Sequence, residues 1–451
     1  MKPVAIIGAG ITGLTAAFCL KREGIPATVY EAGARAGGVI QSVCRDGFLA
    51  ESGPNTLLET APEIAQLIRD LNLESRRRYT DPNAEARFVV RDKRPVAMPS
   101  SPPGIFVSPL LSLEAKLALL REPFVPPRRD GQEESVAEFV TRRLNREFLE
   151  RLIDALVAGI YAGDTSKLSV QHAFPRLAQL ETKYGSLIKG QIKGARERKK
   201  TGQVARDHAP KFSFDDGLQV LTNTLAAQVE VKFNTPITRL TKTGEGWRIT
   251  TSAGEAEHSA VVYCGTAFRL AELQILAGQP VDVSQFSEIC YPPVASVVLG
   301  FRREDVAHPC QGFGMLIPKI EGFKILGTIF SSALFPNRAP AGHVLLSSYI
   351  GGERQPELAA LPPDELVKIT CDDLAVLLGV KGRPVFQHTA LYPRAIPQYN
   401  VGYGKFKDRM NEIESSAHGL FFAGHFRDGV SLGDSIVSGN NVAGRIKNFL
   451  P

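Results

Sequence analysis

The sequence predicts a mixed α/β and α+β protein built around a discontinuous Rossmann-type domain, with a sheet-rich domain and a helical segment inserted into it. Three observations carry this expectation. The N-terminal residues read strand, glycine turn, helix, strand. Short β-rich runs recur between residues 229 and 351. The chain closes on an apolar strand, a loop and a helix.

Val4-Ala5-Ile6-Ile7 is an apolar strand. Gly8-Ala9-Gly10-Ile11-Thr12-Gly13 follows, then a helical pattern through Lys21 and a second strand, Ala27-Thr28-Val29-Tyr30, ending at Glu31. G-x-G-x-x-G alone is a weak signal. Set between strand and helix, with an acid at the end of the next strand, it specifies a dinucleotide site. Gly8 permits the tight turn, Gly10 lets a pyrophosphate approach the backbone, and Gly13 lets the helix pack close to the sheet. The helix N-terminus faces the phosphates, and Glu31 accepts hydrogen bonds from ribose hydroxyls. After Glu31 comes Arg35-Ala36-Gly37-Gly38. This E-x-x-x-R-x-G-G pattern resembles the extended fingerprint of the amine oxidase-like flavoproteins, which makes FAD the expected cofactor.

At the far end, Leu420-Phe421-Phe422-Ala423-Gly424 is an apolar strand, and His425 through Asp434 leads into a final helix. The same resemblance implies that this segment returns to the FAD domain. The positive end of its helix would then lie near the isoalloxazine and stabilise negative charge on a reduced flavin.

Composition bounds the answer. With 451 residues, two or three domains are expected. Hydrophobic content of 43% is enough for large cores, and no apolar run reaches the length of a spanning helix. MKPVAIIGAG enters a strand directly, so a signal or transit segment is not expected. Six cysteines are scattered without a CxxC pair, which argues against zinc or a disulfide framework and suits a reducing cytoplasm. A net charge of +6 points weakly to an anionic surface or ligand and not to nucleic acid.

In the middle, residues 60–75 have an amphipathic helical pattern, and residues 86–97 alternate like a hairpin turning at Asp92-Lys93. A Pro-rich stretch runs from Pro99 to Pro109. Residues 112–121 and 133–158 are helical in period. Residues 183–206 hold eight Lys and Arg against Glu197 alone. They read first as a solvated loop, and alternatively as a contact for anionic lipid headgroups. Strands return at 229–233 and 260–264, then at 294–301, 323–330 and 343–351.

Several segments together resemble the protoporphyrinogen oxidases within the amine oxidase-like flavoproteins. They are Gly53-Pro54-Asn55-Thr56, Asn83-Ala84-Glu85-Ala86-Arg87-Phe88, Gly159-Ile160-Tyr161-Ala162-Gly163-Asp164 with Lys167-Leu168-Ser169, Gly312-Phe313-Gly314, Leu326-Gly327-Thr328-Ile329 with Phe335-Pro336-Asn337-Arg338-Ala339-Pro340, and Tyr349-Ile350-Gly351-Gly352. The resemblance spans nearly the whole chain. It implies a p-hydroxybenzoate hydroxylase-like FAD domain (1–82, 215–268 and 412–451), a substrate domain (83–95, 208–214 and 269–411) and a helical membrane-associated domain (96–207).

The implied reaction is six-electron oxidation of protoporphyrinogen IX to protoporphyrin IX in haem biosynthesis, with FAD as acceptor and dioxygen, or another electron acceptor, reoxidising it. Arg87 matches an arginine that pairs with a substrate propionate, where a guanidinium fork donates two parallel bonds. Gly159 matches a glycine that leaves room for a flat macrocycle. Leu316, Ile329 and Tyr349 match pocket positions around the tetrapyrrole, and Tyr349 stands where relatives carry Phe or Met. Asn55 stands where animal relatives carry Arg and plant-like members Asn. The cofactor-side set comprises Gly8, Ala9, Gly10, Ile11, Thr12, Gly13, Glu31, Ala32, Arg35, Gly37, Gly38, Val39, Gly53, Pro54, Asn55, Thr56, Ile237, His425, Val430, Ser431 and Leu432.

No side-chain acid or base is assigned a catalytic role, because a flavin can take a hydride directly and the protein then supplies position and a dry pocket. Rival readings are a coproporphyrinogen III oxidase, an amine oxidase or desaturase of the same superfamily, and a non-catalytic FAD-binding interaction protein. Other expected associations are a membrane surface, a haem-pathway enzyme and a second copy of the chain. The expected location is cytoplasmic, peripheral on the inner face of the cell membrane.

Overall fold

The computed structural model describes residues 1–99, 102–128, 130–201 and 209–451. Its N-terminal strand is the centre of a five-stranded parallel sheet in the order Glu230–Lys232, Ala27–Tyr30, Val4–Ile7, Val261–Tyr263, Leu420–Phe422. Parallel sheets are buried on both faces, which is why these strands are almost wholly apolar except the edge strand Glu230–Lys232, whose two charged residues are exposed. On one face, Val4, Ile6, Val29 and Val262 pack with the helix Ile11–Arg22 and the terminal helix Leu432–Phe449. The two helices approach closely because Gly439 has no side chain; a Cβ there would stand 2.5 Å from the Thr12 carbonyl oxygen. On the other face, Ala5, Val261 and Tyr263 share a core with Leu240, Trp247 and Ile249 of a second, mostly antiparallel sheet.

A seven-stranded sheet forms the other half of the molecule. Its order is Phe386–Tyr392, Val294–Arg302, His343–Gly351, Ile325–Ile329, Gly314–Leu316, Arg87–Arg91, Arg94–Ala97. The hairpin expected at 86–97 is present, with Asp92 and Lys93 both at positive φ (51° and 61°), as a two-residue turn between twisted strands requires. One face of the sheet, through Val90, Ala295, Val297, Leu299 and Met315, packs on the helix Pro363–Leu378. The opposite face is directed to the other half of the molecule, where Val298, Leu345 and Phe386 meet Phe48 and Ala50.

The segment between these halves is helical. Serine caps start its helices: Ser112 accepts the Ala115 N–H at 3.2 Å, and Ser135 forms a reciprocal capping box with Glu138. The continuous periodicity of 133–158 is broken into shorter pieces. Val136–Arg143 ends, Asn145 caps a restart by accepting the Phe148 N–H at 3.0 Å, and a wide turn at Leu149–Ile153 leads into Asp154–Tyr161.

The solvated loop expected over 183–206 is corrected. Leu187–Thr201 is a helix, and residues 202–208 lie outside the described residues, as do 100 and 101 of the Pro-rich stretch. The reason is a cap supplied from elsewhere in the chain. The buried Glu122 carboxylate accepts the Leu187 and Ile188 N–H groups at 2.7 and 3.1 Å and the Ser186 hydroxyl at 2.6 Å. Arg143, also buried, pairs with Glu122 at 2.5 Å and donates to the Gly185 carbonyl at 2.8 Å. All six cysteines are free thiols. Among the described residues no helix is long and apolar enough to cross a membrane.

Candidate active site

The parallel strands end at one edge of their sheet, which is where open α/β sheets bind ligands. At this edge Gly8 takes φ +103°, and its turn is backed by Gly13, whose Cβ would stand only 2.1 Å from the Gly8 carbonyl oxygen. Gly10 differs. No protein atom lies within 4 Å of where its Cβ would be, so its backbone faces open space. Glu31 ties the turn to the second strand: its carboxylate accepts the Ala9 N–H and the Gly33 N–H, both at 2.8 Å. Each oxygen keeps acceptor capacity for ribose hydroxyls. Ile11 and Thr12 lie buried in the first helical turn, and Ala32 is exposed beside Gly33.

The second glycine pair sits directly on the first. The Gly37 N–H donates to the Ala9 carbonyl at 2.8 Å, and a Cβ on Gly38 would lie 3.6 Å from Gly10 Cα. The Arg35 guanidinium folds back onto the carbonyls of Ala36, Gly38 and Ile40. Arg35 therefore shapes the turn that presents Gly37 and Gly38. Asn234 and Thr235 donate from their backbones to the carbonyls of Gly33 and Glu31, which brings the strand starting at Ile237 to the same corner. Open backbone at Gly10, a carboxylate at Glu31 and the start of the helix Ile11–Arg22, which no side chain caps, are the fittings an FAD molecule needs. These residues would hold its pyrophosphate and ribose.

The C-terminal loop closes over this edge. Gly424 (φ +110°) follows the last strand, and a Cβ there would stand 3.5 Å from the Thr12 hydroxyl. Its N–H donates to Ser438 at 2.8 Å. Ser431 caps the terminal helix by accepting the Asp434 N–H at 3.1 Å; Val430 and Leu432 flank it. Burial pushes the His425 imidazole down to about 4, so it stays neutral near pH 7.

The substrate-side candidates come together on the seven-stranded sheet. Tyr349 pairs across the ladder with Gly327, Gly327 with Leu316, Ile329 with Gly314, and Gly314 with Arg87. Direct partners share a face, so Arg87, Leu316, Ile329 and Tyr349 project from four adjacent strands to one side. This is the side turned away from the helix Pro363–Leu378. Gly159 approaches it from the helix Asp154–Tyr161, where an added Cβ would lie 2.5 Å from Leu316 Cδ2. Arg87 lies 5.7 Å over the Phe313 ring and makes no ion pair among the described residues.

Tyr349 is where the two halves meet. Its hydroxyl accepts from the Asn55 amide at 2.6 Å and donates to the Gly53 carbonyl at 3.2 Å. Gly53 in turn lies against the Val39 carbonyl, 2.5 Å from where its Cβ would be, with Pro54 and Thr56 on either side of buried Asn55. Burial raises the Tyr349 phenol well above its usual value.

Several supporting residues escaped the sequence reading. Ser331 links Asn55 to Ser347 at 3.4 and 2.8 Å. Arg354 clamps Asp154, at the start of the Gly159 helix, at 2.7 Å and the Ile317 carbonyl at 2.6 Å. Glu51 and Arg338, both buried, pair at 3.2 Å. Tyr399 and Tyr403 reach the 424–429 loop with their hydroxyls. Arg338 lies within the Phe335–Pro340 segment quoted from the sequence, where only its pairing with Glu51 was not foreseen, and Arg354 adjoins the Tyr349–Gly352 segment; the tyrosines had no such signal.

Comparison with known proteins agrees with this geometry. The family model for flavin-containing amine oxidoreductases matches residues 11–447. The chain is 34% identical to protoporphyrinogen oxidase 2 of Arabidopsis thaliana over 480 residues, covering 100% of this chain and 94% of the relative. It is 31% identical to coproporphyrinogen III oxidase of Bacillus subtilis, covering 97% and 96% of the two chains. A crystal structure of an Exiguobacterium protein, provisionally named a protoporphyrinogen oxidase, superposes with a TM-score of 0.82 at 23% identity and covers 100% and 99% of the chains; it supports the fold. The chain belongs to the flavin-containing amine oxidoreductases and is an FAD-dependent oxidoreductase, homologous to the porphyrinogen oxidases of haem biosynthesis.

Proposed function

We propose that the chain oxidises protoporphyrinogen IX to protoporphyrin IX, with dioxygen as final acceptor. The observation that carries this reading is the shared face of Arg87, Leu316, Ile329 and Tyr349, joined to the FAD cradle through Asn55 and Gly53. FAD, when bound, supplies the electron acceptor. The chain's residues orient the substrate and exclude water. The Arg87 fork is open to a propionate. Leu316 and Ile329 offer apolar contact to a flat ring system, and Gly159 lets its helix pack directly on Leu316, where a Cβ would stand 2.5 Å from Cδ2. With its hydroxyl engaged by Asn55 and Gly53, Tyr349 offers the macrocycle its ring.

The Bacillus subtilis relative favours a second reading, oxidation of coproporphyrinogen III. That substrate carries four propionates and needs more cations than one arginine supplies. Initial rates of porphyrin fluorescence with each porphyrinogen distinguish the two. We expect the faster rate with protoporphyrinogen IX; a faster rate with coproporphyrinogen III replaces the first reading by the second.

We also propose that the helical region rests on an anionic membrane surface. Val107 and Phe124 are each 84% exposed and Leu113 73%, and the Lys189 ammonium lies 5.8 Å over the Phe124 ring. Apolar side chains beside cations suit an interfacial site. Leu113→Asp with Phe124→Asp should abolish co-sedimentation with phosphatidylglycerol vesicles; unchanged co-sedimentation overturns the proposal.

A further inference from the structure

The segment Gln398–Tyr403 lies between two parts of the site. On one side it pairs with the specific YAGD…KLS stretch. The Ser169 N–H donates to the Tyr399 carbonyl at 2.8 Å, the Val401 N–H to the Lys167 carbonyl at 2.9 Å, and the buried Gln398 amide to the Tyr161 carbonyl at 2.9 Å. That stretch continues the helix that carries Gly159.

On its other side the same segment reaches the loop that closes over the FAD cradle. Tyr399 and Tyr403 are 2% and 1% exposed. The Tyr399 hydroxyl donates to the His425 carbonyl and accepts the Gly429 N–H at 3.0 Å. The Tyr403 hydroxyl donates to the Phe426 carbonyl at 2.6 Å. The two rings lie 4.4 Å apart between centroids, and Tyr161 lies 6.1 Å from Tyr399. Two phenols thus satisfy three main-chain groups of one irregular loop. Main-chain groups of this kind are costly to leave unpaired.

We propose that Tyr399 and Tyr403 are positioning residues for the flavin. They fix the 424–429 loop, and with it the Ser431-capped helix start, relative to the wall formed by Gly159 and Leu316. They tie the place of the cofactor to the place of the substrate. No proton or electron passes through them in this role. The inference rests on the assignment of the 424–431 loop to FAD and not on the identity of the porphyrinogen.

The test uses the full-length chain and FAD without any porphyrinogen, so failure of the substrate reading leaves it intact. Tyr399→Phe removes two bonds to the loop and keeps the ring. FAD affinity should weaken by roughly tenfold, with a shifted visible flavin spectrum and a changed midpoint potential. Tyr403→Phe should weaken it by roughly threefold in the same direction. Thr370→Val is the control. It removes a buried hydroxyl bond to the Leu366 carbonyl (2.8 Å) within the helix on the far face of the large sheet, and it should leave all three flavin readouts unchanged. Parental affinity, spectrum and potential in Tyr399→Phe overturn the proposal, as does an equal disturbance by Thr370→Val. If Tyr399→Phe does not fold, Tyr403→Phe decides by the same readouts.

Discussion

The FAD cradle and the substrate wall are built on opposite principles. The cradle is main chain: Gly8, Gly10, Gly13, Gly37 and Gly38 shape its backbone within 31 consecutive residues, and its two charged side chains, Glu31 and Arg35, bond to main-chain groups of the same region. The wall is side chain: Arg87, Leu316, Ile329 and Tyr349 come from four strands separated by up to 262 residues in sequence (349 − 87) and meet only through ladder register. A backbone site tolerates no added atoms. A side-chain site tolerates exchange and tunes what it binds.

The largest expected effect breaks the cradle in two separable ways. Gly13→Ala drives a Cβ into the Gly8 carbonyl, with 2.1 Å between them, and neither backbone can yield. The apoprotein should lose about 1–3 kcal/mol of stability and fail to retain FAD. Gly10→Ala meets no protein atom. Its apoprotein should melt at the parental temperature while FAD affinity falls by roughly ten- to hundredfold. Thermal melts of both apoproteins, with FAD titrations alongside, check the pair. A destabilised Gly10→Ala apoprotein contradicts the assignment of that open space to the cofactor.

His425 sharpens the comparison from the cradle side. Its imidazole is held down to about 4 by burial, against an ordinary value of 6.5. The unfolded chain therefore takes up the proton first as pH falls. Its contribution is complete above pH 6.5 and is lost progressively toward pH 4, by at most about 3 kcal/mol. Denaturant unfolding of the apoprotein at several pH values should show this slope, and His425→Gln should flatten it relative to the parent. His172, His258, His308 and His388 are lowered by burial as well, so only the difference between variant and parent reports His425.

On the wall, effects should fall on substrate and spare the flavin. Arg87→Ala should raise KM by roughly ten- to hundredfold, the loss expected from one charged hydrogen-bonded contact, and leave FAD affinity and the visible spectrum at parental values. Steady-state kinetics with an FAD titration measure both. A variant that loses FAD would place Arg87 in the cradle. Tyr349→Phe should be the mildest change. It removes the hydroxyl shared by Asn55 and Gly53 at a cost of about 1 kcal/mol, read in the melt of the holoenzyme.

The same contrast explains what could be read from the chain. Gly8 to Gly38 is contiguous, and glycine spacing is its own evidence for backbone conformation. The terminal apolar strand and helix were legible as elements, and the return of Leu420–Phe422 to the parallel sheet followed from the family resemblance. The wall was legible only by resemblance, because nothing in the spacing of Arg87, Leu316 and Tyr349 announces a common face. The basic stretch after Lys183 was misread for a related reason. Its helix is started by Glu122, a carboxylate more than sixty positions earlier, and local propensity carries no trace of that cap. Tyr399 and Tyr403 were missed because a buried tyrosine reads as core until its hydroxyl's partner is seen.

The most direct test of the whole account is anaerobic mixing of the FAD-loaded protein with protoporphyrinogen IX and, separately, with coproporphyrinogen III. Protoporphyrinogen IX should bleach the flavin band rapidly and coproporphyrinogen III more slowly, and Arg87→Ala should slow the first. A flavin that neither porphyrinogen bleaches would contradict the proposed function.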